Sequence, residues 1–113
     1  MASPLHGIVE TETYLASARG LMSEDERSAA VDLLAGSPEI GRLIVGTGGL
    51  LKVRVPLAGL GKRGGACVIS SFLSERRPID LMLAYAKNEQ DDLSPQQSAT
   101  LQRLAAEIAR GQP

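Results

Sequence analysis

Between Leu50 and Ala86 the chain carries three apolar runs whose connections are too short to hold a helix, and this limits the folds open to it. Leu50–Val55, Ala66–Phe72 and Pro78–Ala86 read as strands, joined by a glycine-rich loop over 57–65 and by the polar Glu75-Arg76-Arg77. A parallel crossover needs about a dozen residues or more, so the tight spacing argues for an antiparallel meander rather than βαβ crossovers. In the first run Leu51, Val53 and Val55 alternate with Lys52 and Arg54, which places the two cations on one face. Pro56 ends that run because it has no N–H for the ladder.

The flanks supply helices. Ile8-Val9-Glu10-Thr11 reads as a short first strand, and Tyr14, Ala18, Leu21 and Met22 recur on one face of a first helix that Gly20 weakens near its end. Ser23 with Glu26 is a capping box that opens a second helix. Ala30, Leu33 and Leu34 give its apolar stripe, and Gly36 with Pro38 stops it. Gly46-Thr47-Gly48-Gly49 is a turn leading into the first run of the meander. At the other end Ser94-Pro95-Gln96-Gln97 starts a last helix striped by Leu101, Leu104, Ala105 and Ile108. The expected order is β-α-α-β-β-β-α. This is an α+β class with a small, mainly antiparallel sheet packed with helices, in one domain over residues 1–113.

Charge along this framework is segregated. Residues 1–39 hold seven acids against Arg19 and Arg27, a net of −5. Residues 40–74 hold Arg42, Lys52, Arg54, Lys62 and Arg63 and no acid, a net of +5. A polyanion senses such a patch more than the overall charge of −1, because salt screens interactions beyond roughly 8–10 Å. One cysteine excludes an intramolecular disulfide and any multi-cysteine metal site. No apolar run is long enough for a transmembrane helix, and Met1–Glu10 lacks a signal-peptide core, so a cytoplasmic protein without a membrane partner is expected.

Most catalytic constellations are missing. His6 is the single histidine and sits at the N-terminus, which removes histidine triads and multi-histidine metal sites. Cys67 has no histidine to activate it and suits a small apolar strand position. Gly61-Lys62 is followed by Arg63 where a phosphate loop needs Ser or Thr, and Gly46-Thr47-Gly48 has Leu51 where a dinucleotide fingerprint needs its last glycine. The cations remain. Lys52 and Arg54 share a strand face, and a hairpin would bring Lys62 and Arg63 beside them. Such a cluster suits gripping phosphates or stabilising charge on a pentacoordinate phosphorus. It equally suits a solvated edge whose lysines blunt aggregation.

Gly46-Thr47-Gly48-Gly49-Leu50, Lys52, Arg54, Gly61-Lys62-Arg63-Gly64-Gly65 and Val68-Ile69 together resemble the HigB-like branch of the RelE/ParE toxin superfamily. Leu83-Ala84-Tyr85-Ala86-Lys87-Asn88-Glu89 and Asp92-Leu93-Ser94 resemble that family's closing segment, and Ser37-Pro38-Glu39 with Gly41 resembles its second-helix exit. The resemblance runs from roughly Tyr14 to Leu104. It implies a RelE-like fold and the toxin of a bacterial type II toxin–antitoxin pair. The activity implied is ribosome-dependent cleavage of mRNA, without metal or other cofactor, by attack of a 2′-hydroxyl on the adjacent phosphate. Lys52, Arg54 and Lys87 would then form the catalytic site, with Lys62, Arg63 and Arg42 contacting RNA. Proton transfer would fall to a lysine whose pKa neighbouring cations lower. The implied partners are mRNA on the ribosome and a cognate antitoxin of helix-turn-helix type.

Three positions depart from the family pattern. Leu51 stands where it has Arg, Cys67 where a strand Arg grips the scissile phosphate, and Ser70 where it has Tyr. These losses point to a weakened site, and to the alternative of a catalytically degenerate relative that binds its antitoxin or RNA. Inhibition of DNA gyrase, the activity of the ParE side of the superfamily, is a third reading.

Overall fold

The computed structural model describes residues 7–57, 65–72 and 76–111. In chain order the described elements are β1 (Ile8–Glu10), α1 (Glu12–Ala18), α2 (Glu24–Gly36), β2 (Arg42–Leu43), β3 (Leu50–Val55), β4 (Ala66–Ser71), β5 (Ile79–Ala86) and α3 (Pro95–Gly111). They form an α+β architecture around one five-stranded sheet in the order β1-β5-β4-β3-β2. β3, β4 and β5 are the antiparallel meander expected from their short connections, while β1 pairs with β5 in parallel. The edge strands are thus β1 and β2, which α1 and α2 connect. No helix among the described residues is long and apolar enough to cross a membrane.

Each face of the sheet carries its own core. On one, Tyr14, Ala18 and Met22 from the α1 segment and Ala30 and Leu34 from α2 pack on Val53, Val55, Val68, Ile79 and Leu81. On the other, Leu101 of α3 packs with Leu50, Cys67, Ile69, Met82 and Tyr85. Burial on both sides explains why all six residues of β4 are inaccessible. Within the β4–β5 ladder Ile69 faces Leu83 but Ser70 faces Leu81, which leaves Met82 as an extra residue. This bulge turns both Met82 and Leu83 toward α3.

The helix starts follow local hydrogen bonding. Ser23 and Glu26 make the reciprocal capping box, with Glu26 N–H donating to Ser23 Oγ at 3.1 Å and Ser23 N–H to Glu26 Oε1 at 2.8 Å. Ser94 and Gln97 repeat the pattern at α3. Thr11 belongs to the first helix and not to the first strand. Its hydroxyl accepts from Tyr14 N–H and donates to the Leu81 carbonyl at 2.7 Å, tying α1 to β5. α1 ends at Ala18, two residues before Gly20, and Leu21 and Met22 continue its apolar face in a following turn. Leu33 is 36% exposed and stands outside the core that Ala30 and Leu34 enter. The two-residue β2 was not expected. The turn over 46–49 was legible, but a strand of two exposed residues leaves no periodic signal.

Ser70 is fully buried, and its hydroxyl has no hydrogen-bond partner among the described residues. An unsatisfied buried hydroxyl costs about 1–3 kcal/mol. Ser70→Ala is therefore expected to raise stability by about 1 kcal/mol in urea unfolding. A loss of that size would mean that the hydroxyl is paired.

Candidate anion-binding cleft

Residues directly opposite in an antiparallel ladder point to the same face, so the registers place the basic side chains. Arg42 of β2 faces Lys52 of β3, which faces Ile69 of β4. Arg54 faces Cys67, which faces Tyr85 of β5. Lys87 lies just past β5, where its N–H donates to the Gly65 carbonyl at 2.9 Å. Arg42, Lys52, Arg54 and Lys87, with Gly41 and Cys67, line a cleft of about 430 Å³.

Two glycines make this convergence possible. Gly41 has φ +111°, and a Cβ there would sit 2.6 Å from the Lys52 carbonyl oxygen and 2.7 Å from Val53 Cγ2. Only glycine lets the segment before β2 lie this close to β3. Gly65 has φ +150°, and its added Cβ would stand 2.9 Å from the Val55 carbonyl oxygen. At the β2–β3 turn the buried Thr47 hydroxyl donates to the Ile44 carbonyl at 2.6 Å and accepts from Leu50 N–H at 3.2 Å, which sets the register of Arg42 on Lys52.

The cleft is not purely cationic. Past β5 the chain turns back, and Lys52 Nζ donates to Asp92 Oδ1 at 2.6 Å and to the Asp91 carbonyl at 3.1 Å. Lys87 Nζ binds the Asp91 carboxylate. Two of the four basic side chains that line the cleft, Lys52 and Lys87, thus meet carboxylates. The hydrogen bond from the Lys87 ammonium, then its charge, holds the Asp91 carboxyl below the usual 3.8, with Lys52 adding to the effect. The buried Tyr85 hydroxyl donates to the Asp91 carbonyl at 3.2 Å. Burial raises the Tyr85 pKa well above its ordinary value, and the neighbouring Cys67, Asp92 and Asp91 push it further, so this group remains a neutral donor.

The expected site residues therefore divide. Arg42, Lys52, Arg54, Lys87 and Cys67 come together. Leu51 and Ser70 pair with each other on the opposite face, toward α1 and α2, so neither side chain borders the cations. Lys62 and Arg63, like His6, lie outside the described residues. Asp91, Asp92 and the hydroxyl of Tyr85 were missed. Their signal was present as acids four and five positions after Lys87, but only the turn brings them back over β3. Among the described residues no group of three or more His, Cys, Asp or Glu side chains could hold a metal ion. No family model matches the sequence.

The Asp91 ion pair has a definite pH signature. A carboxyl with a depressed folded pKa contributes stability above 3.8, its ordinary value, and loses it as the pH falls through the lower folded value. In an NMR titration Asp91 should titrate below 3.8, and Lys87→Ala should return it toward that value. An unchanged midpoint in Lys87→Ala would remove the pair from the account.

Proposed function

We propose that this cleft binds RNA phosphate and that the chain is the toxin of a type II toxin–antitoxin pair, acting as a ribosome-dependent mRNA endonuclease. The observation that carries this reading is the convergence of Arg42, Lys52, Arg54 and Lys87 on one cleft beside Cys67. These residues come from β2, β3 and the segment after β5, parts of the chain that the sheet brings together. The likeness of the glycine-rich centre and of the Leu83–Glu89 segment to the HigB-like branch supports the same reading.

The chemistry suited to such a site is transesterification within the substrate. The ribose 2′-oxygen bonds to the adjacent phosphorus, the bond from phosphorus to the 5′-oxygen breaks, and a 2′,3′-cyclic phosphate and a 5′-hydroxyl result. The 2′-hydroxyl gives up its proton and the departing 5′-oxygen takes one. Lys52 and Arg54 would hold the nonbridging oxygens and the charge that grows on them, and Lys87 would stand beside the same phosphate. Placed charges of this kind are each worth roughly 10²–10³ in rate. A helix-turn-helix antitoxin would complete the pair in the cell.

A second reading, a non-catalytic module that binds its antitoxin or RNA, is favoured by Cys67. It is only 2% exposed and sits between Arg54 and Tyr85, where the family pattern has a phosphate-gripping Arg. Expression without an antitoxin separates the two. The nuclease reading predicts growth arrest with mRNA cut on ribosomes, and about a 10²–10³-fold loss of cleavage in Lys52→Ala and Arg54→Ala. Toxicity that appears only in Cys67→Arg would establish the degenerate reading. An SOS response with intact translation would contradict both.

A further inference from the structure

Glu89 and Gln90 N–H donate to the Ala86 carbonyl at 3.1 and 3.3 Å, which reverses the chain directly after β5. Asp91 and Asp92 then lie over the cleft. Both carboxylates remain open to solvent, with side chains 80% and 81% exposed, whereas those of Lys52 and Lys87 are only 21% and 28% exposed. The lysines are thus partly sunk, and their ammonium groups point at an exposed acidic turn. Besides the two ion pairs, the turn is tied by the bonds from Lys52 and Tyr85 to the Asp91 carbonyl. Gln90 Nε2 holds its far end, donating to the Asp92 carbonyl and to Gln97 Oε1 at 3.0 Å each.

We propose that the Asp91–Asp92 turn is a built-in phosphate mimic that occupies the ammonium groups of Lys52 and Lys87, and that a phosphate-bearing ligand enters the cleft by displacing it. The proposal rests on the reading of the cleft as a phosphate site. A carboxylate offers the two-oxygen, singly charged face that a phosphodiester presents to an ammonium group. Tethered to the same chain, the carboxylates act at an effective concentration of about millimolar, enough to hold off a lone monoanion. Exposed ion pairs are individually weak, so a ligand with adjacent phosphates, which engages several of the cleft's cations at once, displaces the turn. The cleft is thereby selective for polyanions over single anions.

The probe is inorganic pyrophosphate, titrated into the full chain with the amides of the turn and the lysine Nζ groups followed by NMR. Asp91→Asn with Asp92→Asn should tighten pyrophosphate binding by about tenfold. The charge-matched control, Glu89→Gln with Glu107→Gln, alters exposed acids outside these contacts and should change binding by less than about twofold. The melting curve of the control should match the native chain, and that of the Asp91, Asp92 variant should remain a single cooperative transition, slightly lowered by loss of the two exposed ion pairs. In the native chain, saturation with pyrophosphate should shift the Asp91 and Asp92 amides and abolish the Lys52–Asp92 contact. Equal gains in both double variants, no gain in either, or a contact that persists at saturation would overturn the proposal. A gain confined to the Asp91, Asp92 variant in a chain that cuts no RNA would leave the mimic standing and remove the nuclease reading. RNA cleavage with no such gain would do the reverse.

Discussion

Burial of β4 on both faces is the constraint from which the rest of the structure follows. A strand covered on two sides needs an apolar side chain at nearly every position and a neighbour on each edge, and β3 and β5 supply the neighbours. Alternate residues then feed two separate cores: Ala66 and Val68 toward α1 and α2, Cys67 and Ile69 toward α3. The parity of β4 also decides which residues of β3 face which helix. Val53 and Val55 go to the first core, and Lys52 and Arg54 go to the α3 side. There the α3 stripe covers Leu50, Ile69 and Met82, while Lys52 and Arg54 line the open cleft.

Gathering cations in one place is electrostatically unfavourable, and the molecule answers this in two ways. Arg54 and Arg42 stay exposed, where water screens them. Lys52 and Lys87, which are more buried, meet the carboxylates of Asp92 and Asp91. The two least solvated charges of the cleft are thereby compensated. Tyr85 links this arrangement to the second core, with its ring packed beside Cys67 and Leu101 and its hydroxyl on the acidic turn. A change in the α3 core is thus mechanically close to the cations.

Much of this was legible in the sequence. The capping boxes at Ser23 and Ser94 depend on residues three positions apart, and both helices begin where those residues direct. The meander followed from connection length, and the shared face of Lys52 and Arg54 followed from strand alternation. What escaped was non-local or too short to be periodic. β2 has two residues, and the parallel pairing of β1 with β5 joins segments about seventy residues apart. Asp91 and Asp92 read as ordinary surface acids until the turn after β5 carries them over Lys52. Ser70 and Leu51 seemed to border the cations because they are close to them in sequence. Strand parity places both on the opposite face, so substituting Ser70 by Tyr would overpack a core and would not return an aromatic ring to the cleft.

Under the proposed function the cleft grips successive phosphates of a single RNA strand. The most direct measurement of this grip is the salt dependence of binding to a single-stranded RNA oligonucleotide, for the native chain and for Lys52→Ala, Arg54→Ala and Lys87→Ala. Each phosphate contact contributes about −0.7 to the slope of log K against log salt concentration. Each substitution should therefore make the slope shallower by about that amount. Slopes unchanged in all three variants, with binding intact, would place the RNA elsewhere on the molecule and contradict this reading.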